Sequence, residues 1–559
     1  MVDVLWLVVL IAATSFWCAR IGRSLSATFD EPTYLEDGLR HWRTGSYKPL
    51  MRLGTMPLAI DAQTLPLYIW ERSHGTTLDL PRDIDWMLAW ARSVTLLFWA
   101  LLLAYVFLIA RSIGGHWAGR IASAMVAFEP TFLAHAALAT ADIPLAAMLA
   151  VFAHEFAVAR EKRWPRRLGI PSVLLGLAIL AKASALAFGP IIMMAVEFHR
   201  LWLAGDSSGI PNRDLKARIF YVCDGLWKFR RDLLSIVGMG IAVTFLYCRS
   251  DWTTEPTFIT WAQALKPGTF HDTMLWISEH LRIFTNAGEG IAQQVKHNIR
   301  GHGTYILGRT YPRSVWYYFP VALSIKCSIA FLALPLLAAL ARRRALFNWP
   351  FLAAMALLAY SLFCRVQIGI RFMLPLMAFA AAGCAPAIAG AMRETGGRWR
   401  KIALGAITGC ALCYACACSI VIGPDALCFT NEIWGGVQSG YWWLSDSNYD
   451  WGQGLKKLIA WRNAHGVDTV DVCYFGLDPR MNIPPLRSMP LNDPDYSKGK
   501  SWEEVFQGKC VAVSTTALYG PYHTATGIEA MEFLKGQKPT DRTTTYFIYD
   551  FRPPLRDSR

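Results

Sequence analysis

Charged residues are scarce in this chain, and long runs without any of them are common. They make up 17% of the 559 residues, whereas hydrophobic residues make up 54%. The apolar residues fall in blocks long enough to cross a bilayer, which takes roughly 20 residues per helix. This composition predicts a polytopic α-helical membrane protein. The opening segment, residues 4–18, lacks a basic start and a small-residue cleavage site. It is therefore predicted to be a retained span and not a removable signal peptide.

The chain also lacks the charge distribution of a nucleic-acid-binding protein, although its net charge is +14. Lysine and arginine cluster in short segments between apolar blocks, which is the pattern that fixes membrane orientation. No nucleic-acid partner is predicted.

Eleven apolar blocks are predicted to cross the membrane, at 3–22, 89–110, 117–134, 138–158, 168–181, 183–198, 233–248, 316–341, 349–364, 370–391 and 402–423.

The basic segments fix the predicted orientation of these spans. Basic loops face the cytoplasm, so segments of this kind must be separated by even numbers of spans. They lie at 160–167, 213–231, 342–344 and 393–401. The first two require two short spans between them, with Lys182 at their outer turn. The predicted location is the plasma (inner) membrane, with a cytoplasmic amino terminus.

With this orientation, three long segments face outward. Residues 24–88 and 250–315 are rich in tryptophan, tyrosine and proline, which suits loops at the membrane surface. The tail alternates strand-like and helical runs, which is typical of a small α/β domain. The chain is therefore predicted to have a transmembrane module, residues 1–423, and an extracytoplasmic (periplasmic) α/β domain, residues 424–559.

Two adjacent carboxylates follow the first apolar block, in Phe29-Asp30-Glu31-Pro32. Asp and Glu are favoured at the starts of helices, so the pair could cap a helix. Charge near lipid is unfavourable, so the alternative is that the pair forms a functional site. The predicted topology brings other ionisable residues to the same side of the membrane. They are Asp142, Lys182, Lys326 and Arg371. A transport path would scatter such residues through the bilayer, so one outward-facing reaction site is favoured.

This set of residues suits group transfer from a lipid-anchored phosphate. A carboxylate can take the proton from an attacking hydroxyl group. Arginine and lysine can hold the departing phosphate by charge-assisted hydrogen bonds. A displacement in one step inverts the sugar, because no second carboxylate acts as nucleophile.

The first-loop stretch resembles a motif of the C-type (GT-C) membrane glycosyltransferases. The similar group contains the protein O-mannosyltransferases and the aminoarabinose transferases (glycosyltransferase family 39). The resemblance spans roughly residues 1–480. Further segments that agree with bacterial members of this group lie at 138–145, 176–182, 316–320 and 368–375.

The resemblance implies a GT-C enzyme that takes a sugar from a polyprenyl-phosphate donor at the outer face. The acceptor would be a hydroxyl group on a glycan, a lipid or a protein. The catalytic base of the family corresponds to Asp30, and Glu31 would shape the same site. The acidic residue of the family's second loop corresponds to Asp142. The donor phosphate is expected near Arg371 and Lys182.

Some assignments stay open at this point. Lys326 either extends toward the outer surface as a structural residue or approaches the donor phosphate. Protein acceptors are in doubt, because Pro32-Thr33-Tyr34 replaces the histidine usual in the protein-modifying enzymes and a β-trefoil insertion is missing. A lipid-diphosphate-dependent glycan ligase or polymerase, and a membrane lipid or sugar transporter, are the alternative functions.

The tail carries a second family-like stretch, residues 431–436 and 446–455. Asn448 or Asp450 is predicted to cap the helix that follows, rather than to form a metal or sugar site. No metal-ligand spacing is found, so no cofactor is predicted, although a divalent cation is not excluded. Cysteines 410, 413, 416 and 418 are expected to pack within a span. No pairing is predicted for Cys428, Cys473 and Cys510.

Overall fold

The computed structural model describes residues 1–207, 214–393 and 397–553. Arg213 and residues 394–396, which belong to the predicted basic segments, and residues 554–559 of the predicted outer domain lie outside the described residues. The α-helices, numbered in chain order, are α1 (Val2–Ser24), α2 (Glu31–Thr44), α3 (Lys48–Arg52), α4 (Pro57–His74), α5 (Leu80–Gly114), α6 (His116–Ala127), α7 (Pro130–Ala136), α8 (Asp142–Ala159), α9 (Ile170–Ala181), α10 (Ala185–Ser207), α11 (Leu215–Cys248), α12 (Pro256–Gln263), α13 (Thr269–His280), α14 (Ala287–Arg300), α15 (Tyr318–Lys326), α16 (Ile329–Arg342), α17 (Trp349–Ser361), α18 (Leu374–Arg393), α19 (Arg398–Ile422), α20 (Gly440–Trp443), α21 (Leu455–Ala464), α22 (Trp502–Phe506), α23 (Thr515–Tyr519) and α24 (Ala525–Gly536). The strands are β1 (Thr304–Ile306), β2 (Arg309–Tyr311), β3 (Val470–Cys473), β4 (Leu486–Ser488), β5 (Cys510–Ser514), β6 (Asp541–Arg542) and β7 (Tyr546–Asp550).

The prediction of a polytopic helical membrane protein is confirmed, but the count of eleven spans is not. Seven helices of the described chain are long and apolar enough to cross a membrane. A helix pair that bends by 106° at the break between Lys326 and Ile329 would make an eighth. Several predicted blocks instead form short helices. With 12 residues, α9 is too short on its own, because it reaches only roughly 18 Å across a hydrocarbon core of about 30 Å.

Helix α18 lies at the centre of the membrane module. Every residue from Leu374 to Ala391 is buried, and α18 contacts α5, α6, α8, α16 and α17. Alanine and glycine dominate this stretch, and small residues let membrane helices approach closely. At Gly383, for example, an added Cβ would lie 2.5 Å from the backbone nitrogen of Phe351. The start of α18 is therefore held firmly within the module.

Two groups of short helices interrupt the sequence of long ones. Helices α2, α3 and α4 lie between α1 and α5, in the first segment predicted to face outward. Helices α12, α13 and α14 and the β1–β2 hairpin lie between α11 and α15, in the second. The two groups meet, because α14 packs against α3. The two segments predicted to face outward are therefore in direct contact.

The predicted α/β fold of the tail is confirmed. Its sheet has the strand order β4-β3-β5-β7-β6, with parallel pairing on one side of β5 and antiparallel pairing on the other. Alternate residues of β5 enter two separate apolar clusters, one on each face, as strand geometry requires. These clusters begin at Leu455, whereas Leu427, Phe429 and Trp451 pack in the main membrane cluster. The domain boundary at residues 423/424 stays a prediction.

Candidate active site

Asp30 stands at the N-cap position of α2, but its carboxylate faces another helix. Its backbone has φ −81° and ψ −29°, whereas a capping residue is usually extended. Oδ2 accepts hydrogen bonds from Nη1 of Arg371 at 2.9 Å and from the hydroxyl of Tyr34 at 3.3 Å. The side chain is 24% exposed. The Asp30 side chain makes no capping hydrogen bond, so of the two interpretations drawn from the sequence the cap is not seen.

Arg371 occupies a short 3-10 turn, Ile370–Met373, directly before α18. Its guanidinium group is nearly buried and lies between two carboxylates, with Nη1 2.9 Å from Asp30 and 3.7 Å from Asp142. The face of the group rests on the Trp451 ring, with Cζ 4.1 Å from the ring centroid. Its Nε has no hydrogen-bond partner in the described part of the chain. This Nε–H is thus a buried donor that the described chain leaves unpaired.

Asp142 and Lys182 form the second half of the same cluster. Asp142 is the first residue of α8 and its side chain is 1% exposed. Lys182 follows the last residue of α9, and its Nζ lies 2.5 Å from Oδ1 of Asp142. Two carboxylates and two cations thus alternate along one row, Asp30, Arg371, Asp142 and Lys182. The mutual pairing offsets the cost of burying these charges.

A cavity of about 490 Å³ opens onto this row. Asp30, Lys182 and Arg371 line it, whereas Asp142, which pairs with both cations, is not among its described lining residues. Ser184 also lines the cavity, and its buried hydroxyl has no hydrogen-bond partner among the described residues. Most of the other lining residues are apolar, and they include Leu186, Phe188, Phe319, Val366, Ile368, Phe372 and Met373. One pocket thus combines charged side chains with a largely apolar lining.

Glu31 lies next to Asp30 in sequence but belongs to a different environment. Its carboxylate is fully buried and pairs with Arg92 of α5, at 2.8 Å from Nε and 2.6 Å from Nη2. It also accepts hydrogen bonds from the backbone nitrogens of Thr28 and Ala139. Burial alone would raise the pKa of Glu31, but Arg92 and these bonds hold that pKa below its usual value. This carboxylate ties three chain segments together.

Lys326 is also enclosed. Its Nζ donates to the backbone carbonyls of Leu427 at 2.9 Å, Phe429 at 2.5 Å and Asn448 at 2.6 Å. All three ammonium hydrogens therefore have partners in the tail. Neither Lys326 nor Glu31 is among the described residues that line the cavity. The structure thus brings together Asp30, Asp142, Lys182 and Arg371 and separates the other two predicted site residues from them.

The prediction that Asn448 or Asp450 caps the next helix is wrong. Helix α21 starts at Leu455, and Gly454 occupies its N-cap position. The Asn448 side chain accepts from the backbone nitrogen of Ile370 at 2.8 Å, beside Arg371. Asp450 accepts from the backbone nitrogen of Thr516 at 3.0 Å. Tertiary partners have replaced the local capping that the sequence pattern favours.

Ser184 and Trp451 are site residues that the sequence reasoning did not identify. Trp451 lies within the family-like stretch at 446–455, and this stretch was the one sequence feature that could have indicated it. No cluster of three or more histidine, cysteine, aspartate or glutamate residues suited to a metal ion occurs within the described ranges. All thirteen cysteines are free thiols, and Cys428, Cys473 and Cys510 are each buried.

Residues 87–206 match the family model described as dolichyl-phosphate-mannose-protein mannosyltransferase. The match contains Asp142 and Lys182, and it confirms the resemblance to this family over that part of the chain. No curated protein sequence matches the chain.

Solved structures of low sequence identity are similar to this one. The apo oligosaccharyltransferase of Archaeoglobus fulgidus has 15% identity and a TM-score of 0.43, over 75% of this chain and 56% of that chain. The chain thus spans little more than half the length of that relative. ArnT from Cupriavidus metallidurans bound to undecaprenyl phosphate has 14% identity and a TM-score of 0.43, over 97% of both chains.

Proposed function

We propose that this protein is an inverting GT-C glycosyltransferase that moves a sugar from a polyprenyl-phosphate donor to a hydroxyl acceptor. The observation that carries the proposal is a cavity in which Asp30, Lys182 and Arg371 share the lining with mostly apolar side chains. Such a pocket matches a ligand with an anionic head and a hydrocarbon chain. The family match over residues 87–206 supports it, because that family is named for a dolichyl-phosphate-linked sugar.

Arg371, Lys182 and Ser184 would hold the donor phosphate. The free Nε–H of Arg371 and the unpaired hydroxyl of Ser184 are donors that the described chain leaves unused. Charge-assisted hydrogen bonds from arginine and lysine are strong phosphate contacts, and arginine offers a planar fork. Phosphate oxygens would compete with Asp30 for Nη1 of Arg371. Donor binding would therefore release the carboxylate for its role as a base.

Asp30 would take the proton of the attacking acceptor hydroxyl. As the acceptor oxygen bonds to the anomeric carbon, the bond from that carbon to the phosphate oxygen breaks, and the phosphate leaves as an anion held by the cations. General base catalysis of this kind contributes about 10²- to 10⁴-fold to a rate. Asp30 is the one carboxylate among the described lining residues. A single displacement with inversion fits one carboxylate better than a covalent intermediate.

The apolar lining residues would take the first isoprene units of the donor. A cavity of about 490 Å³ lies within the usual range for small-molecule sites. The proposed location is the plasma (inner) membrane, with the cavity and the domain at residues 424–559 on the outer side and the amino terminus in the cytoplasm. The proposed acceptor is a hydroxyl group of an envelope glycan, a lipid or a protein.

The test uses the purified protein in liposomes with a panel of polyprenyl-phosphate-linked sugars and an envelope extract as acceptor. Release of polyprenyl phosphate and sugar transfer are measured together for the wild type, Arg371→Lys and the exposed control Arg365→Lys. We expect transfer by the wild type and the control, and a loss of about a hundredfold for Arg371→Lys. Wild-type protein that transports a donor lipid without any transfer would refute the proposal in favour of a transporter. A requirement for diphosphate-linked donors would refute it in favour of a ligase or polymerase.

A further inference from the structure

Residues 446–453 of the tail, here called the bridging segment, contact both loops that carry the proposed reactive groups. On one side, Oδ1 of Asn448 accepts from the backbone nitrogen of Ile370 at 2.8 Å, one residue before Arg371. On the other side, the carbonyl of Trp451 accepts from the backbone nitrogen of Phe29 at 2.8 Å, one residue before Asp30. The segment thus spans the distance between the two loops.

The contacts with the Arg371 loop are close. The hydroxyl of Ser447 donates to the carbonyl of Ile368. An added Cβ on Gly369 would lie 1.9 Å from that hydroxyl oxygen, so any side chain at this position would displace the Ser447 hydroxyl and break its bond to Ile368. The Trp451 ring packs against the guanidinium group of Arg371, with Cζ 4.1 Å from the ring centroid. Cation–π contacts of this kind are strongest where water is excluded.

The bridging segment is itself anchored from two directions. Towards the membrane module, Nδ2 of Asn448 donates to the Tyr318 hydroxyl at 2.8 Å, and Lys326 donates to the Asn448 carbonyl at 2.6 Å. Towards the sheet, the carboxylate of Asp450 accepts from the backbone nitrogen of Thr516 at 3.0 Å, and the Thr516 hydroxyl donates to the Asp450 carbonyl at 2.7 Å. The position of this segment therefore depends on the folded C-terminal domain as well as on α15.

We propose that the bridging segment is a positioning element that holds Asp30 and Arg371 in register for donor binding and proton transfer. The inference deepens the proposed function and rests on it. Asn448 and Trp451 are positioning residues in this scheme, because they act through Arg371. The 2.9 Å separation of the reactive groups would then depend on a segment from the far end of the chain. A displacement of about 1 Å in such a site can lower a rate by about a hundredfold.

The experiment compares Asn448→Ala, Trp451→Leu and Trp451→Phe in the full-length protein. Two quantities are measured: the affinity for undecaprenyl phosphate in detergent, and kcat and KM for sugar transfer. We expect Asn448→Ala and Trp451→Leu to bind the lipid phosphate about tenfold more weakly, because the first loses a buried hydrogen bond to the Arg371 loop and the second loses the aromatic face against Arg371. Trp451→Phe keeps an aromatic face and should stay within about threefold of the wild type. The controls Asn482→Ala and Trp461→Leu lie elsewhere in the same domain and should bind normally.

A double-substitution cycle separates positioning from a general loss of stability. If Asn448 acts through Arg371, then adding Asn448→Ala to Arg371→Ala lowers affinity little further, because the two residues are coupled. The inference would be overturned if the loss of affinity in the double variant equalled the product of the two single losses. It would also be overturned if Asn448→Ala and Trp451→Leu both bound the lipid phosphate as tightly as the wild type. If Asn448→Ala does not fold, the affinities of Trp451→Leu and Trp451→Phe for undecaprenyl phosphate are compared instead, and wild-type affinity of Trp451→Leu overturns the inference. Wild-type protein without affinity for undecaprenyl phosphate would instead refute the proposed function itself.

Discussion

Replacement of Asp30 by asparagine is the most informative single change that the structure suggests. The amide has nearly the same shape as the carboxylate and can still accept hydrogen bonds from Arg371 and Tyr34. It cannot take a proton from an acceptor hydroxyl. The substitution therefore removes the proposed base and the negative charge while it leaves the packing around α2 intact.

The expected magnitude follows from the two roles of the carboxylate. Loss of a general base lowers kcat by about 10²- to 10⁴-fold, or about 3 to 5 kcal/mol of transition-state stabilisation. The same change weakens the bond to Nη1 of Arg371, which lies 2.9 Å from Asp30 in the wild type, because a neutral amide is a weaker acceptor than a carboxylate. A phosphate no longer competes with the carboxylate for that donor. Affinity for the lipid phosphate should therefore stay constant or rise by up to about fivefold, corresponding to about 1 kcal/mol.

The assay is steady-state transfer in liposomes, with donor concentration varied and undecaprenyl phosphate affinity measured separately. Glu36→Gln is the matched control, because Glu36 lies on the same helix and forms an exposed pair with Arg40 at 2.9 Å. It should leave kcat and KM unchanged. A loss of kcat below about tenfold in Asp30→Asn, or a loss confined to KM, would show that Asp30 is not the base.

Three further predictions concern stability. Arg92→Leu leaves the buried Glu31 carboxylate without its cation and should lower the free energy of unfolding by about 3 to 5 kcal/mol in chemical denaturation, whereas the double change with Glu31→Leu should recover much of the loss. Lys326→Met leaves three buried carbonyls unpaired, and thermal unfolding should show a loss of at least about 3 kcal/mol. Burial raises the pKa of Asp446 to about 6 from its usual 3.8, even though Tyr522 and Arg371 oppose the shift. The protonated carboxyl group therefore stabilises the fold fully below pH 3.8, and that contribution, about 3 kcal/mol, is lost as the pH rises towards 6. Unfolding of Asp446→Asn should lack this pH dependence, and equal pH profiles for the two proteins would contradict the assignment.

The sequence predicted the class of the protein and the core of its site for physical reasons. Composition and block length indicate a membrane protein, because burial in lipid demands apolar residues. Charge parity indicated that Asp30, Asp142, Lys182 and Arg371 share one side, and the structure places the four in one row. The tail could be recognised as α/β from the alternation of strand-like and helical runs.

The remaining features depend on contacts that a local pattern does not contain. Glu31 and Lys326 carry the same charges as Asp30 and Lys182, and only their partners show that both are enclosed away from the cavity. The capping prediction for Asn448 failed because an asparagine before a helix pattern serves equally well as a long-range acceptor. The count of eleven spans is not confirmed, because several apolar blocks form helices too short to cross the membrane alone.

The pairing of the first outer segment with the tail has a consequence for biosynthesis. The backbone nitrogen of Ala27 donates to Asp478 at 3.0 Å, across 451 residues of sequence. Contacts of such separation form late, because the intervening chain must be made and ordered first. During translation the ribosome has produced Asp30 long before the residues that fix its position. Under the proposed mechanism, the site around Asp30 would therefore become competent only after the tail segment that contacts the first outer segment has been synthesised and folded.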